Sequence, residues 1–335
     1  MKNRNGRGIL MGVILMGALL AGCKKTADAS STTAGKDTTS TTVVAFDKTQ
    51  PIHPYTRDTT SGTRDGFMTK IGLSAAKTDD SKLSTKVQST SGNGDMIAKL
   101  SQDEYGIGYF SFSSLADAKK KGAKDVQYEG VEATEDSILD GTYKLSRNFN
   151  YCQRVDFSAE ESVKATIVNA FVAYMGTSEG MTTIKGAGGI VSLTAATPSW
   201  NEVKKNYAGI EDDHSSISLS FGGSTSVEEV SKALSQDFSK RAGNFKEVHD
   251  HHGSGDAYTY TQKDGTSHKY DIAFASREFN LTSGEPLATG SYGRICIDGI
   301  AVGVNSKNPL ATITGEKLLN IYKLGASYTT WQDLD

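Results

Sequence analysis

The sequence has no excess of basic residues and only three cysteines among its 335 residues. Lys and Arg number 36 against 39 Asp and Glu, so the net charge at pH 7 is −3. Such a chain has no broad positive field that attracts nucleic acid, and a bound anion must be held by local donors. With 37% hydrophobic residues, the chain can bury one large core or two medium ones. We therefore expect a folded protein whose partners are small molecules or proteins.

Long apolar runs are also scarce, and the clearest one lies at the N-terminus. A basic segment over 1–7 precedes an apolar stretch over 8–20, which ends in the sequence LAGC at 20–23. This order predicts a lipoprotein signal peptide over 1–23, because its end resembles a bacterial lipobox with Cys23 as the lipid-modified residue. A weak transmembrane anchor is the alternative, although the stretch is short for a membrane span. A lipid on Cys23 would anchor the protein on the outer face of the bacterial cytoplasmic membrane, at the cell surface or in the periplasm.

Residues 24–50 have the composition of a flexible tether. They are rich in Ser, Thr and Ala and show no apolar period, so folding should begin near Pro51. Beyond the lipobox only Cys152 and Cys296 remain. In an oxidising compartment these two can form a disulfide, or each can stay a buried thiol.

The segment 216–238 carries the first candidate binding loop. An alternating strand over 217–221 runs into the small residues GGSTS at 222–226, and a helical pattern follows. Ser226 and Glu229 fit a capping box, which predicts that the helix begins at Ser226. The unpaired N–H groups and the positive dipole end of such a helix attract an anion. An ordinary strand–helix turn with a good N-cap is the alternative.

A second candidate loop lies near the start of the predicted folded region. Gly62 sits between Ser61 and Thr63, and a helical pattern begins around Arg64. The two hydroxyl groups can cap the helix or donate to an anion, and Gly62 permits close approach of the backbone. Arg57 offers a planar five-donor fork that suits a phosphate or a carboxylate. A surface arginine beside an unrelated loop is the alternative.

Helical and strand patterns alternate along the rest of the chain. Residues 107–109 have a strand pattern, 162–175 have an amphipathic helical pattern, and 314–322 predict a helix capped by Thr314. Asp271 opens a further strand and is a candidate acceptor at a cleft. Helices that alternate with short strands predict the α/β class, with helices covering the faces of mixed sheets.

Two other motifs carry weaker signals. The sequence GTSEG at 176–180 formally matches the G-x-S-x-G nucleophile elbow, but a helical pattern precedes it where that motif needs a strand. We interpret it as the end of a helix. His249, His251 and His252 lie close together in a polar segment, and no second set of ligands at metal-site spacing accompanies them. We therefore predict a solvated loop there and no metal site.

Several segments together resemble the phosphate-binding proteins of high-affinity phosphate ABC transporters, which have a type II periplasmic-binding-protein fold. The matching segments are SGTR at 61–64, YGIGYFSFSSL at 105–115, GTYKLSR at 141–147, GSTSV at 223–227, GSG at 253–255, DIAFASRE at 271–278 and IDGIAVGVN at 297–305. Together they cover essentially 51–335. The family has GSTSV before SGTR, whereas here SGTR comes first, so the resemblance is to a circularly permuted member.

The resemblance implies two lobes joined by a two-strand hinge, with the ligand cleft between them. One lobe would comprise 51–140 with 306–335 and carry SGTR. The other would comprise 141–305 and carry GSTSV. The hinge strands would lie near 141–146 and 300–305. Permutation is tolerable where the old ends lie close together and the new break falls in a surface loop.

The resemblance also implies which residues bind the ligand. Inorganic phosphate would contact Thr225, Ser226, the N–H of Val227, Ser254, Arg57, Ser61, Gly62 and Thr63, and Asp271 would accept a proton of the ligand. Such a carboxylate would favour protonated phosphate over sulfate, which has no proton to give. Asp58 beside Arg57, and Glu228 after Val227, depart from the family pattern and bear on oxyanion specificity.

These inferences predict an extracytoplasmic solute-binding lipoprotein that captures inorganic phosphate and delivers it to an ABC permease. We expect a monomer without cofactor, metal or enzymatic activity. A phosphatase or serine hydrolase using Ser226 or Ser178 is one alternative, although neither serine has an evident base beside it. A surface sensory or adhesive lipoprotein that kept the fold without phosphate transport is the other.

Overall fold

The computed structural model describes residues 45–262 and 269–335, in which helices alternate with short strands. The strands there are β1 (His53–Arg57), β2 (Gln88–Thr90), β3 (Gly106–Ser111), β4 (Ala123–Tyr128), β5 (Ser146–Gln153), β6 (Ser218–Gly223), β7 (Lys246–His251), β8 (Ile272–Ala275), β9 (Tyr292–Asn305) and β10 (Thr312–Ile313). The α-helices are α1 (Gly62–Lys70), α2 (Asn93–Gln102), α3 (Leu115–Lys121), α4 (Glu135–Leu139), α5 (Ser162–Met175), α6 (Ser178–Gly186), α7 (Trp200–Val203), α8 (Glu228–Arg241), α9 (Gly255–Gln262) and α10 (Gly315–Tyr322). Cys23, the predicted signal peptide and most of the predicted tether lie outside the described residues.

The strands form one mixed sheet in the order β2-β1-β3-β9-β5-β8-β6-β7, and β4 pairs with β9 and β10. Strand β1 is parallel to β2 and β3 in one half, and β6 is parallel to β7 and β8 in the other. The 14-residue strand β9 is antiparallel to β3, β4 and β5 and so belongs to both halves. The loops after β1, β6 and β8 leave the carboxyl ends of parallel strands, where open α/β sheets bind ligands.

The two largest hydrophobic cores of the described residues lie along this sheet, and each belongs to one of two lobes. The first core includes Phe67 and Tyr109, whose rings stack with centroids 3.8 Å apart. The second includes Phe171 and Phe221, whose rings meet edge to face at 5.2 Å. We call the corresponding parts the first lobe and the second lobe. This arrangement confirms the predicted two-lobe α/β fold.

The junction between the lobes lies on β5 and β9. Tyr143, Leu145 and Val304 pack into the first core, although the predicted boundary assigned them to the second lobe. Arg147 at the start of β5 donates to Asp298 of β9 at 2.8 Å, and both side chains are almost fully buried. Burial raises the pKa of Asp298, and the adjacent guanidinium opposes that shift. The exact lobe boundaries and the hinge stay predictions.

The last residues of the chain pair with the segment before β1. Ile52 N–H donates to Thr329 O at 2.9 Å, and the Phe46 ring meets Trp331 edge to face at 5.5 Å. Phe46, within the predicted tether, thus packs against the first lobe. These contacts place the two sides of the proposed break next to each other, as a permuted order requires. The permutation itself stays a prediction.

Local patterns placed several helices correctly. Helix α5 spans the predicted 162–175, although Val163 on its expected apolar face is 47% exposed. Thr314 caps α10 by accepting from Lys317 N–H at 3.2 Å. Helix α5 ends at Met175 before the GTSEG sequence, so no strand precedes that motif and it does not have the context of a nucleophile elbow.

The two cysteines of the folded region are free and buried. Both lie on the paired strands β5 and β9, where Cys296 is opposite Phe149 and Cys152 is opposite Tyr292. Three residues along a strand put the two thiols roughly 10 Å apart, beyond the reach of a disulfide. Burial raises the pKa of Cys152 to about 12. The buried-thiol alternative is therefore correct. None of the helices in the described ranges is long and apolar enough for a membrane span.

Candidate anion-binding site

The two loops singled out by the sequence meet between the lobes. The SGT loop (57–63) begins at the end of β1, and the GSTSV loop (223–227) begins at the end of β6. Thr63 Oγ1 lies 2.7 Å from Ser226 Oγ, and Arg57 Nη2 donates to Thr225 Oγ1 at 3.0 Å. Hydroxyl groups and a guanidinium from both lobes therefore converge on one place.

The guanidinium of Arg57 is almost completely buried, with 1% of the residue exposed. Besides Thr225, it donates through Nη1 to Asn93 Oδ1 at 3.2 Å and through Nη2 to Ser91 O at 3.4 Å. Its Nε–H has no hydrogen-bond partner among the described residues. Burial lowers the pKa of Arg57, while the Asp58 carboxylate, 3.8 Å from Nη2, raises it. A buried cation with an unmade hydrogen bond is costly, so an anion beside Arg57 would be strongly favoured.

Three serines of the second lobe form a hydrogen-bonded group beside the SGT loop. Ser224 Oγ donates to Ser276 Oγ at 2.9 Å, and Ser276 N–H donates to Ser254 Oγ at 3.0 Å. All three are buried. A Cβ on Gly62 would lie 2.4 Å from Ser254 Oγ and 2.6 Å from Ser276 Oγ. Glycine is therefore required at position 62 for the two lobes to approach this closely.

Asn93 links the two loops and was not among the predicted site residues. Its Nδ2 donates to Ser226 Oγ at 3.3 Å, while its Oδ1 accepts from Arg57 and from Ser111 N–H. Asn93 is the first residue of α2 and stands in the sequence SGNG at 91–94. A small-residue stretch before a helix was part of the signal for the other two loops, but the strand before SGNG is only three residues long and mostly exposed, so the rest of that signal is missing here.

We call this arrangement the interlobe cluster. It comprises Arg57, Thr63 and Asn93 from the first lobe and Ser224, Thr225, Ser226, Ser254 and Ser276 from the second. Asn93, Ser224 and Ser276 are the members that were not predicted. Ser276 follows β8 directly, so its position at the carboxyl end of a parallel strand was a usable signal.

Two residues of the SGT loop and its helix support the cluster without joining it. Ser61 is the N-cap of α1 and accepts from Arg64 N–H at 3.3 Å. Arg64 is fully buried and donates through Nη1 to Arg57 O at 2.9 Å. The backbone that carries Arg57 is thus fixed from behind by a second guanidinium. The Ser61 hydroxyl therefore caps the helix, which was one of the two roles predicted for it.

The start of α8 differs from the prediction. The helix begins at Glu228, and Val227 rather than Ser226 is its N-cap, so the predicted capping box is wrong. The reason is that the Ser226 hydroxyl is engaged across the cleft by Thr63 and Asn93. The N–H of Val227, predicted to donate to the ligand, instead donates to Ser224 O at 3.2 Å within the loop.

Asp271 does not belong to the cluster. Its carboxylate accepts from Ser220 N–H and Oγ at 2.8 and 2.9 Å and pairs with Lys164 at 2.9 Å. Asp271 precedes β8 whereas Ser276 follows it, so five residues of extended chain separate the two by roughly 16 Å. The predicted acceptor therefore lies at the wrong end of its strand and is already satisfied. Asp58 is the carboxylate nearest Arg57, and its Oδ2 is buried without a hydrogen-bond partner in the described residues.

A cavity of about 1080 Å³ opens beside the cluster. Ser61 and Ser276 line one end of it, and Lys70, Arg147 and Asn148 line other parts. Its remaining lining is rich in hydroxyl groups and in ion pairs such as Arg277–Glu285 at 2.7 Å. Of the interlobe cluster, Ser276 is the member that lines this cavity.

Comparison with known proteins supports this picture. Residues 209–335 match the PBP superfamily domain. Phosphate-binding protein PstS 2 of Streptococcus pneumoniae is 27% identical over 286 residues, which cover 84% of this chain and 87% of that protein. Phosphate-binding protein PstS 2 of Streptococcus agalactiae is 26% identical over 328 residues, which cover 97% of this chain and 94% of that protein.

A solved structure has the same fold. It is the phosphate-binding protein of a phosphate ABC transporter from Streptococcus pneumoniae, 24% identical with a TM-score of 0.59. The match covers 85% of this chain and all of that chain. At this identity the solved structure shows that the two proteins share a fold, and the domain match is limited to residues 209–335.

Proposed function

We propose that this protein captures inorganic phosphate between its two lobes and delivers it to an ABC permease. The observation that carries the proposal is the interlobe cluster, in which a buried guanidinium and hydroxyl groups from both lobes converge. Relatives that align with nearly the whole chain are named phosphate-binding proteins. Local donors of this kind suit an anion in a protein whose net charge is −3.

The chemistry of the cluster fits a tetrahedral oxyanion. Arg57 supplies a fixed positive charge and an Nε–H without a partner in the described chain. Each hydroxyl can donate to an anionic oxygen, and hydrogen bonds to a charged acceptor are stronger than those between neutral groups. Phosphate would replace the direct Thr63–Ser226 and Arg57–Thr225 hydrogen bonds with bonds from both lobes to its own oxygens. Closure of the lobes on the anion would then exclude water.

Discrimination between phosphate and sulfate requires an acceptor for the ligand proton, and we assign this role to Asp58. Its Oδ1 accepts from Thr60 N–H at 2.9 Å, while Oδ2 lies near Arg57 without a donor among the described residues. Hydrogen phosphate can donate to that oxygen, whereas sulfate would face a carboxylate with no proton between them. Asp58→Asn should therefore raise sulfate affinity relative to phosphate affinity.

Isothermal titration calorimetry of the mature protein with phosphate, arsenate, sulfate and glycerol phosphate tests the proposal. We expect phosphate to bind with the highest affinity or equally with arsenate, and sulfate to bind at least tenfold more weakly. Glycerol phosphate probes whether the adjoining cavity admits the organic part of an ester. Absence of phosphate binding would contradict the proposal and favour a surface lipoprotein that kept the fold without the ligand.

The location and state of the protein belong to the same proposal. The sequence LAGC at 20–23 supports lipidation of Cys23, which would hold the folded part outside the cytoplasmic membrane through the tether. We propose a monomer, since each chain contributes both lobes of its own cleft. Membrane fractionation and size-exclusion chromatography of the lipid-free form test these two points.

We propose a binding protein rather than a hydrolase. The Ser226 hydroxyl is hydrogen bonded to Thr63 and Asn93, neither of which can act as a general base. Ser178 donates to the adjacent carboxylate of Glu179, which also accepts from Trp200 N–H at the start of a helix. Hydrolysis of a chromogenic phosphate ester or carboxylic ester by the purified protein would contradict this part of the proposal.

A further inference from the structure

Two histidines of the second lobe form part of a stacked column of rings behind the GSTSV loop. His249 and His251 lie on β7, not in a solvated loop as the sequence predicted, because β7 pairs with β6. His249 stacks on Phe221 with centroids 5.1 Å apart, and His251 stacks on His249 at 5.5 Å. Phe274 follows His251 at 6.3 Å, so both imidazoles lie between aromatic rings.

Hydrogen bonds connect this column to the binding loop. His251 Nδ1 lies 3.1 Å from Ser224 O, His251 Nε2 lies 3.2 Å from His249 Nδ1, and His249 Nε2 lies 3.0 Å from Ser235 Oγ. A carbonyl oxygen only accepts, so His251 Nδ1 carries the hydrogen. With both rings neutral, His249 Nδ1–H then donates to His251 Nε2, and the Ser235 hydroxyl donates to His249 Nε2. All of these hydrogen bonds therefore run in one direction, from Ser235 towards the carbonyl of Ser224.

This series of hydrogen bonds can take up one proton without losing a hydrogen bond. Ser235 Oγ also lies 3.1 Å from Lys232 O. If His249 Nε2 gains a proton, the Ser235 hydroxyl can turn to donate to Lys232 O and accept from His249. The positive charge then rests on the pair next to the loop that carries Ser224, Thr225 and Ser226.

We propose that the His249–His251 pair positions the GSTSV loop for its anion and takes up a proton when the anion binds. The proposal rests on the proposed function, because it assumes that the interlobe cluster holds the anion. His251 orients the Ser224 carbonyl, which also accepts from Val227 N–H, and so fixes the turn that directs the hydroxyl groups of the loop. An anion in front of the loop and a cation behind it stabilise each other, so anion affinity and proton uptake are linked.

Burial and the charges around the two histidines set the pKa values on which this linkage depends. Burial lowers the pKa of His249 to about 4 and also lowers the pKa of His251. From α8, Glu228 raises and Lys232 lowers the pKa of both rings, and these two residues pair with each other; on β7, Asp250 raises the pKa of His251. Without a ligand the surroundings therefore disfavour the protonated form of both rings, and a nearby anion would favour it by supplying negative charge.

The test measures proton uptake during phosphate binding. Calorimetry at about pH 5.5 in buffers of different ionisation enthalpy gives the protons taken up per phosphate bound. We compare wild type with His249→Phe, which keeps an aromatic ring in the stack and removes the proton acceptor. Wild type should take up more protons per phosphate than His249→Phe, up to one. The ionisation of phosphate itself is the same for both proteins and cancels in this difference.

Affinity supplies a second measurement. His251→Phe keeps a ring but removes the donor to Ser224 O, so phosphate affinity at about pH 7.5 should fall about two- to tenfold. His252→Gln is the matched control, because His252 is exposed and pairs with Asp250 instead of the loop. The control should change neither the affinity nor the proton count.

Equal proton uptake by wild type and His249→Phe would overturn the linkage even if His251→Phe failed to fold. No phosphate binding by wild type would overturn both this inference and the proposed function. Phosphate binding with unchanged proton uptake would overturn this inference alone.

Discussion

Replacing Arg57 by alanine should weaken phosphate binding without unfolding the protein. The guanidinium is 1% exposed, and its Nη2 contacts Thr225 at 3.0 Å while Nε–H has no partner in the described chain. A hydrogen bond to a charged group contributes about 1.5–3 kcal/mol, which corresponds to a loss of about 12- to 150-fold in affinity. Loss of more than one such bond would exceed this range.

Stability should respond differently from binding. Without ligand, the buried guanidinium has an unmade hydrogen bond and a distant counter-ion in Asp58, both of which oppose its burial. Its hydrogen bonds to Asn93, Ser91 and Thr225 act in the other direction, so the net change in unfolding free energy on its removal should be small. Thermal unfolding with and without phosphate separates the two effects, because a ligand raises the melting temperature only as far as it binds. Without phosphate, the melting temperature of the variant should be close to that of wild type. With phosphate, it should rise much less than the melting temperature of wild type does.

Arg294→Ala is the control for net charge. Arg294 lies exposed on β9 and takes no part in the interlobe cluster. Its removal changes the total charge by the same amount as Arg57→Ala but should leave phosphate affinity within twofold. Equal affinity of Arg57→Ala and Arg294→Ala would show that the cluster is not the binding site.

Four further predictions follow from the same geometry. Gly62→Ala should weaken phosphate binding at least tenfold in calorimetry, because the new Cβ would meet two serine hydroxyls at 2.4 and 2.6 Å, whereas Gly186→Ala, with open space around the new methyl, should not. Asp271→Asn should leave the ratio of sulfate to phosphate affinity unchanged and lower the unfolding free energy in urea by about 1–3 kcal/mol, since it loses a charged partner. Because burial lowers the pKa of His249 to about 4, the unfolded chain binds that proton first, so unfolding free energy should fall from about pH 6.5 to pH 4 and fall less in His249→Phe. Cys23→Ser should move the protein from the membrane to the soluble fraction, and a variant that stays in the membrane would mean that the apolar stretch itself is the anchor.

The SGT and GSTSV loops of the interlobe cluster were predictable because their signal is local. In both, an extended segment leads through small residues into a helix, and the resemblance placed Arg57 and Thr225 within them. Asn93 follows a strand of three residues that is mostly exposed, so no apolar alternation marked the loop before it. To recognise SGNG as a similar loop, one would have had to predict strand β2 before it, and the sequence does not show a strand pattern there.

Asp271 and the histidines show what local patterns leave out. The residue type of Asp271 fits an acceptor, but ligand sites of parallel sheets lie at the carboxyl ends of strands, and Asp271 precedes β8. His249 and His251 stand in a polar stretch with little apolar alternation, so a strand was not expected. Pairing with β6 and stacking on Phe221 make that strand, and both contacts come from distant parts of the chain.

The interlobe cluster explains why the anion, and not the protein alone, should hold the lobes together. The contacts between Thr63, Asn93 and Ser226 join neutral groups, and such bonds gain little over the hydrogen bonds that the same groups make with water. Arg57 adds a buried charge whose desolvation opposes closure until an acceptor completes its donors. An anion changes both terms, because it converts neutral hydrogen bonds into charge-assisted ones and satisfies the guanidinium in the same step. From the residue types in the cluster we therefore expect closure to be coupled to anion binding.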